Sequence, residues 1–262
     1  MKGGKESERV LLAHGGGGVM MRELISAVRE SLGSSPESLQ DSAVLDLESH
    51  RIAFTTDSFV VKPLFFPGGD IGHLAVCGTV NDLAVSGARP LYLSLSYIIE
   101  EGFSREDLER ITGSVMKASV EAEVQVVTGD TKVVQRGMAD GIFINTAGIG
   151  IVPEGLNLSS SSARDGDSVI INGSIGDHGL AILSLREGID FGSGLESDTA
   201  PLNRIISVLV DRFDGIRCMR DATRGGIAAV LNEIASDSGV SIRIEEELIP
   251  VKDAVRSGCE LM

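Results

Sequence analysis

The segment from Thr55 to Ala88 constrains the fold more than any other part of the chain. It starts at the end of an apolar β-type run (residues 52–56) and passes through Pro67-Gly68-Gly69-Asp70. It then enters a helix-period stretch over residues 71–86 that is apolar and rich in small residues. The turn residues open this helix, and Gly87, ahead of Pro90, closes it. A helix apolar around its whole circumference belongs inside a protein, covered by other elements. Yet this one carries Asn81 and Asp82, and burying a carboxylate without a partner costs several kcal/mol. Asp82 therefore needs company.

Three further acids offer it. Asp57 follows Thr55-Thr56 in a strand expected over residues 52–61, and Asp41 stands just before a strand expected over 43–47. Asp130 ends the apolar run 124–127 in Thr128-Gly129-Asp130-Thr131-Lys132. A lone Asp at a strand end is more often a turn former than a ligand. Hydroxyls beside Asp57 and the apolar helix around Asp82 favour the second role. Converging carboxylates repel, and a divalent cation carrying a polyphosphate makes such a cluster tolerable. Gly129-Asp130-Thr131-Lys132 has amides, an acid and a cation within four residues, like half of a phosphate site, although the chain contains no GxxxxGK[ST]. Lys132 reads either as a surface lysine or as a group that neutralises a γ-phosphate or moves a proton.

Around this segment the alternation continues. A helix is expected over 19–32, a strand over 91–99, a helix over 105–122, and strands over 125–127 and 141–152, which is an α/β pattern. Near Pro153 the texture changes to a polar stretch with four serines, Ser159 to Ser162, read as a linker. Beyond it a strand is expected at 168–172, helices at 180–186, 201–213 and 227–235, and a strand at 240–244. The boundary is placed near residue 155, giving domains 1–155 and 156–262, and no strict short repeat is visible.

Composition sets limits on partners. The 262 residues carry a net charge of −15, which argues against binding nucleic acid or an anionic membrane through bulk electrostatics. No apolar run is long enough to span a bilayer, no signal-peptide pattern opens the chain, and the three cysteines fit no CxxC spacing and are odd in number. A cytoplasmic location with reduced thiols is expected.

Other motifs carry open alternatives. Gly15, Gly16, Gly17 and Gly18 follow His14 and read either as a flexible leader or as a loop whose N–H groups close over phosphates. Gly173-Ser174-Ile175-Gly176-Asp177-His178-Gly179 opens a helix, with Asp177 read as its cap. Arg220-Asp221-Ala222-Thr223-Arg224-Gly225-Gly226 opens another, as an anion site or as a place where Arg220 pairs with a nearby acid. Cys77 is expected to be packed in the apolar helix.

Taken together, the strings TTDSFVV, LFFPGGDIGHLAVCGTVNDLAVSGA, IIEEGF, VTGDTKVVQRG, FINTAGIG, GDHG, RDATRGG and LNEIA, from about His14 onward, resemble in order the HypE family of hydrogenase maturation factors. That family sits in the superfamily named after aminoimidazole ribonucleotide synthetase (PurM-like). The resemblance implies a two-domain fold: an N-terminal α/β domain whose sheet dimerises into a barrel-like core, then an α+β domain. It implies ATP and Mg2+ near the junction, with Asp41, Asp57, Asp82 and Asp130 as metal acids. Gly15 to Gly18, Asn81, Thr131 and Arg224 would contact the nucleotide, and Lys132 and Asp82 would take part in catalysis. The implied activity is ATP-dependent dehydration of a cysteine-bound carbamoyl group to a thiocyanate, which supplies cyanide ligands to the hydrogenase. The carbamoyl donor would be HypF, the acceptor a HypC–HypD complex, and the enzyme a homodimer. Family chains end in an Asn-Glu-Gly segment and a Pro-Arg-Ile-Cys tail, whereas this sequence stops at Met262, so the C-terminal domain is expected to be incomplete and self-cyanation absent. An idle ATP-binding dimeric scaffold, or another ATP-dependent synthetase or kinase of the superfamily, are the alternative readings.

Overall fold

The computed structural model describes Val10, Gly16 and residues 18–31, 40–47, 50–189 and 194–261. Among them, all the strands fall in the N-terminal part, up to Val152, called the first half below. β1 (Ala43–Leu47), β2 (His50–Phe59), β5 (Arg89–Glu100), β6 (Gln125–Val134) and β7 (Ile142–Val152) form one sheet in the order β1-β2-β7-β5-β6. β3 (Phe65–Phe66) and β4 (Gly69–Asp70) make a short hairpin. β5 and β6 run parallel, joined across the helix α3 (Arg105–Glu121), as a parallel pair requires. The other neighbouring pairs of the large sheet are antiparallel. α1 (Val19–Ser31) precedes the sheet.

The apolar helix predicted at 71–86 is α2 (Ile71–Val85) and forms the core. Asp70 caps it, its Oδ1 accepting from the Gly72 N–H (2.7 Å) and the His73 N–H (3.1 Å). α2 lies on one face of the sheet beside α3. Val76, Val80, Leu93, Val115 and Val124 make one buried cluster, and Ile71, Ile99, Ile111, Ile142 and Ile144 another. Cys77 is buried there as expected, and burial pushes its thiol up to about 12, so it is packing rather than chemistry.

Side chains alternate between the two sheet faces. Thr55, Asp57, Thr146 and Leu93 belong to the face covered by the helices. Phe54, Ile149 and Tyr92, aligned in register across β2, β7 and β5, lie exposed on the other.

The second half is helical among its described residues: α4 (Asp177–Glu187), α5 (Asn203–Arg212), α6 (Gly226–Ser238) and α7 (Asp253–Leu261), with a 3-10 turn at Glu246–Leu248. The strands expected at 168–172 and 240–244 do not form. A strand needs a neighbour to complete its hydrogen bonds, neither segment has a ladder partner among the described residues, and Val169 and Ile170 lie exposed. Asp177 is not the cap of α4 either. Gly176 holds that position, and Asp177 begins the helix, fully buried, with Lys252 Nζ 2.9 Å from its Oδ1 and the Ser174 hydroxyl on its Oδ2.

The halves meet along a polar and apolar seam. Phe66 stands edge-on to the His178 ring, the Ser197 N–H donates to the Pro67 carbonyl, and Ile206 packs against Ala84 and Val85. No helix among the described residues is long and apolar enough to cross a membrane.

Candidate metal and nucleotide site

Four acids gather where the C-terminal half of α2 meets the seam. Asp82 projects from α2 and Asp57 from the covered face of β2. Asp41 stands two residues before β1, and Asp221 lies in the segment that leads into α6. Carboxylate oxygens of Asp41, Asp82 and Asp221 lie within 4.8 Å of one another. The approach of α2 to β2 depends on Gly78, where an added Cβ would lie 2.9 Å from the Phe59 ring and 3.4 Å from Asp57 Oδ2. The Thr55 hydroxyl donates to Asp82 Oδ2 at 2.8 Å, with the Asp41 carbonyl oxygen at 2.9 Å.

The electrostatics are those of buried acids crowded together. Burial, reinforced by Asp221 and Asp57, pushes the Asp82 carboxyl up to about 9. Burial and Asp221 raise Asp41 to about 7, against the pull of Arg220. Asp221 rises to about 6 through burial and the charge of Asp57, moderated by Arg220 and by a hydrogen bond from Asp82. Burial raises Asp57 too, and Arg224, at the start of α6, opposes it. Carboxylates this close cannot all ionise alone. An oxygen-only donor set suits Mg2+, whose opposite ligands stand about 4.2 Å apart, so a modest contraction of the cluster brings its oxygens onto one ion. The residues fit the ion.

The remaining candidates are placed differently. Asp130 is not at a strand end and does not join the cluster. β6 extends to Val134, so Asp130 sits mid-strand, in register with Ser96 of β5, itself paired with Asn145 of β7, which pairs with Ser58 of β2. Ser58 follows Asp57 and points to the opposite face. Asp130 is therefore on the uncovered side of the sheet and about 14 Å, three strand spacings, from the Asp57 strand. Lys132 shares that face and pairs with Asp130, whose carboxyl it holds below the ordinary range together with the Thr131 N–H. The sequence puts Asp57 and Asp130 both beside threonines; strand order and register parity separate them.

Asn81 turns to the seam rather than to the cluster. Its Nδ2 donates to the Ala200 carbonyl (3.0 Å), and its Oδ1 accepts from the Leu202 N–H (2.8 Å). Gly16 and Gly18 are exposed ahead of α1. Gly15 and Gly17 lie outside the described residues. Arg220 pairs with acids, the alternative considered for it, with Nε 2.7 Å from Asp41 Oδ2 and a terminal nitrogen 3.0 Å from Glu233 Oε2. Asp221 was missed as a ligand because its neighbours Arg220 and Arg224 suggested an anion site. Its signal was an acid followed two residues later by a threonine at the mouth of a helix.

Comparison with known proteins places the chain in a family. Residues 39–152 match the family described as AIR synthase related protein, N-terminal domain, and residues 164–262 its C-terminal domain. The carbamoyl dehydratase HypE of Rhizobium leguminosarum bv. viciae is 53% identical over 257 residues, spanning 97% of this chain and 73% of the relative. The carbamoyl dehydratase HypE of Escherichia coli K12 is 46% identical over 260 residues, spanning 97% and 77%. Among solved structures, HypE in a HypE–HypF complex superposes with a TM-score of 0.87 at 50% identity, over 94% of this chain and 79% of that one. HypE in complex with ATP superposes at 0.80 and 48% identity, over 97% and 76%. Thiamine monophosphate kinase of Aquifex aeolicus, at 20% identity and a TM-score of 0.71 over 93% and 82%, shares the fold alone. Matches to both AIR-synthase-related domains, with about half of the residues identical to HypE proteins over nearly all of this chain, make it a member of the HypE family.

Proposed function

We propose that this chain binds Mg2+ and ATP at the Asp41–Asp57–Asp82–Asp221 cluster and uses them to dehydrate a sulfur-bound carbamoyl group to a thiocyanate. The observation that carries the site is the convergence of three carboxylates within 4.8 Å, two from the first half and one from the second. Family membership carries the reaction, since the relatives are named carbamoyl dehydratases.

The chemistry suits such a site. The carbamoyl oxygen attacks the γ-phosphorus, an O–P bond forms, and the bond to ADP breaks. Loss of both N–H protons then expels phosphate through C–O cleavage and leaves S–C≡N. Magnesium, when bound, neutralises phosphate charge as it moves during transfer. The chain's own part is to hold the acids in place. Thr55 orients Asp82, and the seam residues Asn81 and Phe66 keep the second half, and Asp221 with it, against the first. Arg224, within electrostatic reach of Asp57 at the start of α6, suits a phosphate.

Asp130, Thr131 and Lys132 can serve the same nucleotide only if something brings the uncovered sheet face to it. We infer a homodimer through that face, whose exposed Phe54, Ile149 and Tyr92 row is apolar surface in need of cover. A HypF-type carbamoyl donor and a HypC–HypD-type cyanide acceptor complete the proposed assembly, for maturation of a nickel–iron hydrogenase.

Calorimetry tests the site: Asp82→Asn weakens ATP binding in magnesium by tenfold or more, and unchanged binding removes the assignment. Turnover is tested with an S-carbamoylated cysteine peptide, ATP and Mg2+. ADP release that depends on the carbamoyl group, with a nitrile band in the infrared, supports the dehydratase. ATP binding without either product leaves an idle scaffold.

A further inference from the structure

Arg220 is placed where a divalent ion would also have to act. Its Nε stands 2.9 Å from Asp41 Oδ1 and 2.7 Å from Oδ2, so one N–H faces both oxygens of that carboxylate. A terminal nitrogen reaches Glu233 Oε2 on α6 at 3.0 Å. The three side chains are mostly buried, at 11%, 10% and 18% exposure, so water screens them only in part. The carboxylate held by Arg220 is also one of the three that gather within 4.8 Å. Asp41 thus belongs to two cation sites at once, one filled by the chain itself.

An N–H facing both oxygens of Asp41 lies on the side of the carboxylate that a chelating ion would take, and two cations sharing one buried carboxylate repel. We propose that Arg220 is an internal competitor for the ion: it holds Asp41 before loading and gives it up to the ion, with Glu233 keeping the guanidinium neutralised through the exchange. Arg220 adjoins Asp221 in the chain, so the exchange moves a ligand from the second half together with the residue that releases Asp41. Ion loading and the fit of the two halves are then one event. Arg220 is a positioning residue here and touches no substrate. The inference rests on the magnesium reading of the acid cluster.

The test uses the full chain without nucleotide and Mn2+ as probe, with free ion counted by electron paramagnetic resonance. Arg220→Met, which keeps the bulk and removes the charge, is expected to tighten Mn2+ binding by tenfold or more, while Arg220→Lys stays near the parent. Glu233→Gln, which leaves Arg220 more firmly on Asp41, is expected to weaken it several-fold. In the Arg220→Met/Glu233→Gln pair that weakening shrinks, because it acts through Arg220; simple loss of a nearby negative charge would persist undiminished. Parent protein that binds no Mn2+ overturns the metal reading and the exchange with it. Parent protein that binds Mn2+, with Arg220→Met equal or weaker, overturns the exchange alone. If Arg220→Met does not fold, Glu233→Gln binding as tightly as the parent overturns it instead.

Discussion

At the scale of single residues the acid cluster makes the protein's stability depend on pH in an unusual direction. An acid whose pKa is raised on folding holds its proton more tightly folded than unfolded, so raising the pH removes stability. Asp82 at about 9, Asp41 at about 7 and Asp221 at about 6 all lie above their unfolded values. Without divalent ions, thermal stability should decline as pH rises from about 4 towards about 9. Between pH 6 and pH 9 the loss should amount to several degrees by scanning calorimetry. With Mg2+ the trend should flatten or reverse, since ionised carboxylates then gain a partner. A metal-free protein equally stable at pH 6 and pH 9 would contradict the burial of these acids.

At the scale of elements α2 organises everything else. It is apolar on all sides because it is covered on all sides, by the sheet, by α3 and by α5. Small residues set how closely it is covered. An added Cβ at Gly72 would lie 2.5 Å from the Ile111 carbonyl oxygen of α3 and 3.1 Å from Asp70 Oδ1, which caps the helix. A backbone carbonyl in the middle of a packed helix has no room to retreat. Gly72→Ala should therefore destabilise by about 1–3 kcal/mol, even though alanine is intrinsically the better helix former by roughly 1 kcal/mol. Urea unfolding measures it, and a stabilised variant would show that α2 and α3 separate more easily than their packing implies. Because Asp82 rides on α2, the same change should also weaken Mg2+-dependent ATP binding.

At the scale of the whole molecule the sheet has one face covered by helices and one bare. On the bare face Phe54, Ile149 and Tyr92 form an apolar row, and Ser58, Asn145, Ser96 and Asp130 form a polar row four residues along. Asn145 knits the polar row, its Nδ2 lying 3.1 Å from Ser58 Oγ and 2.8 Å from the Asp57 carbonyl. A charge placed in the apolar row should split the dimer: Ile149→Asp is expected to halve the mass seen by light scattering at micromolar concentration. If the parent is already monomeric there, the dimer reading is wrong. If only the variant is monomeric, its ATP affinity tells whether Asp130 and Lys132 contribute across the interface.

Much of this was legible along the chain, because local chemistry decides local structure. The apolar period of 71–86 predicts α2, Asp70 and Gly87 mark its ends, and Asp41, Asp57 and Asp82 draw attention as acids beside hydroxyls or inside apolar surroundings. Sequence strings of this specificity also pointed to the HypE family. What the chain could not disclose is which acids share a face. Asp130 resembled the others until β6 proved to run on past it, and strand parity turned it to the bare side. Asn81, adjacent to Asp82 on the same helix, points to Ala200 and Leu202 instead of the acids. Asp221 joined the cluster through the docking of the second half, a contact made across more than a hundred residues. Residues 168–172 and 240–244 carry strand-like composition and form no ladder, because a strand is a property of a pair. Period, capping and burial are encoded locally; register, facing and long-range convergence exist only once distant segments pack.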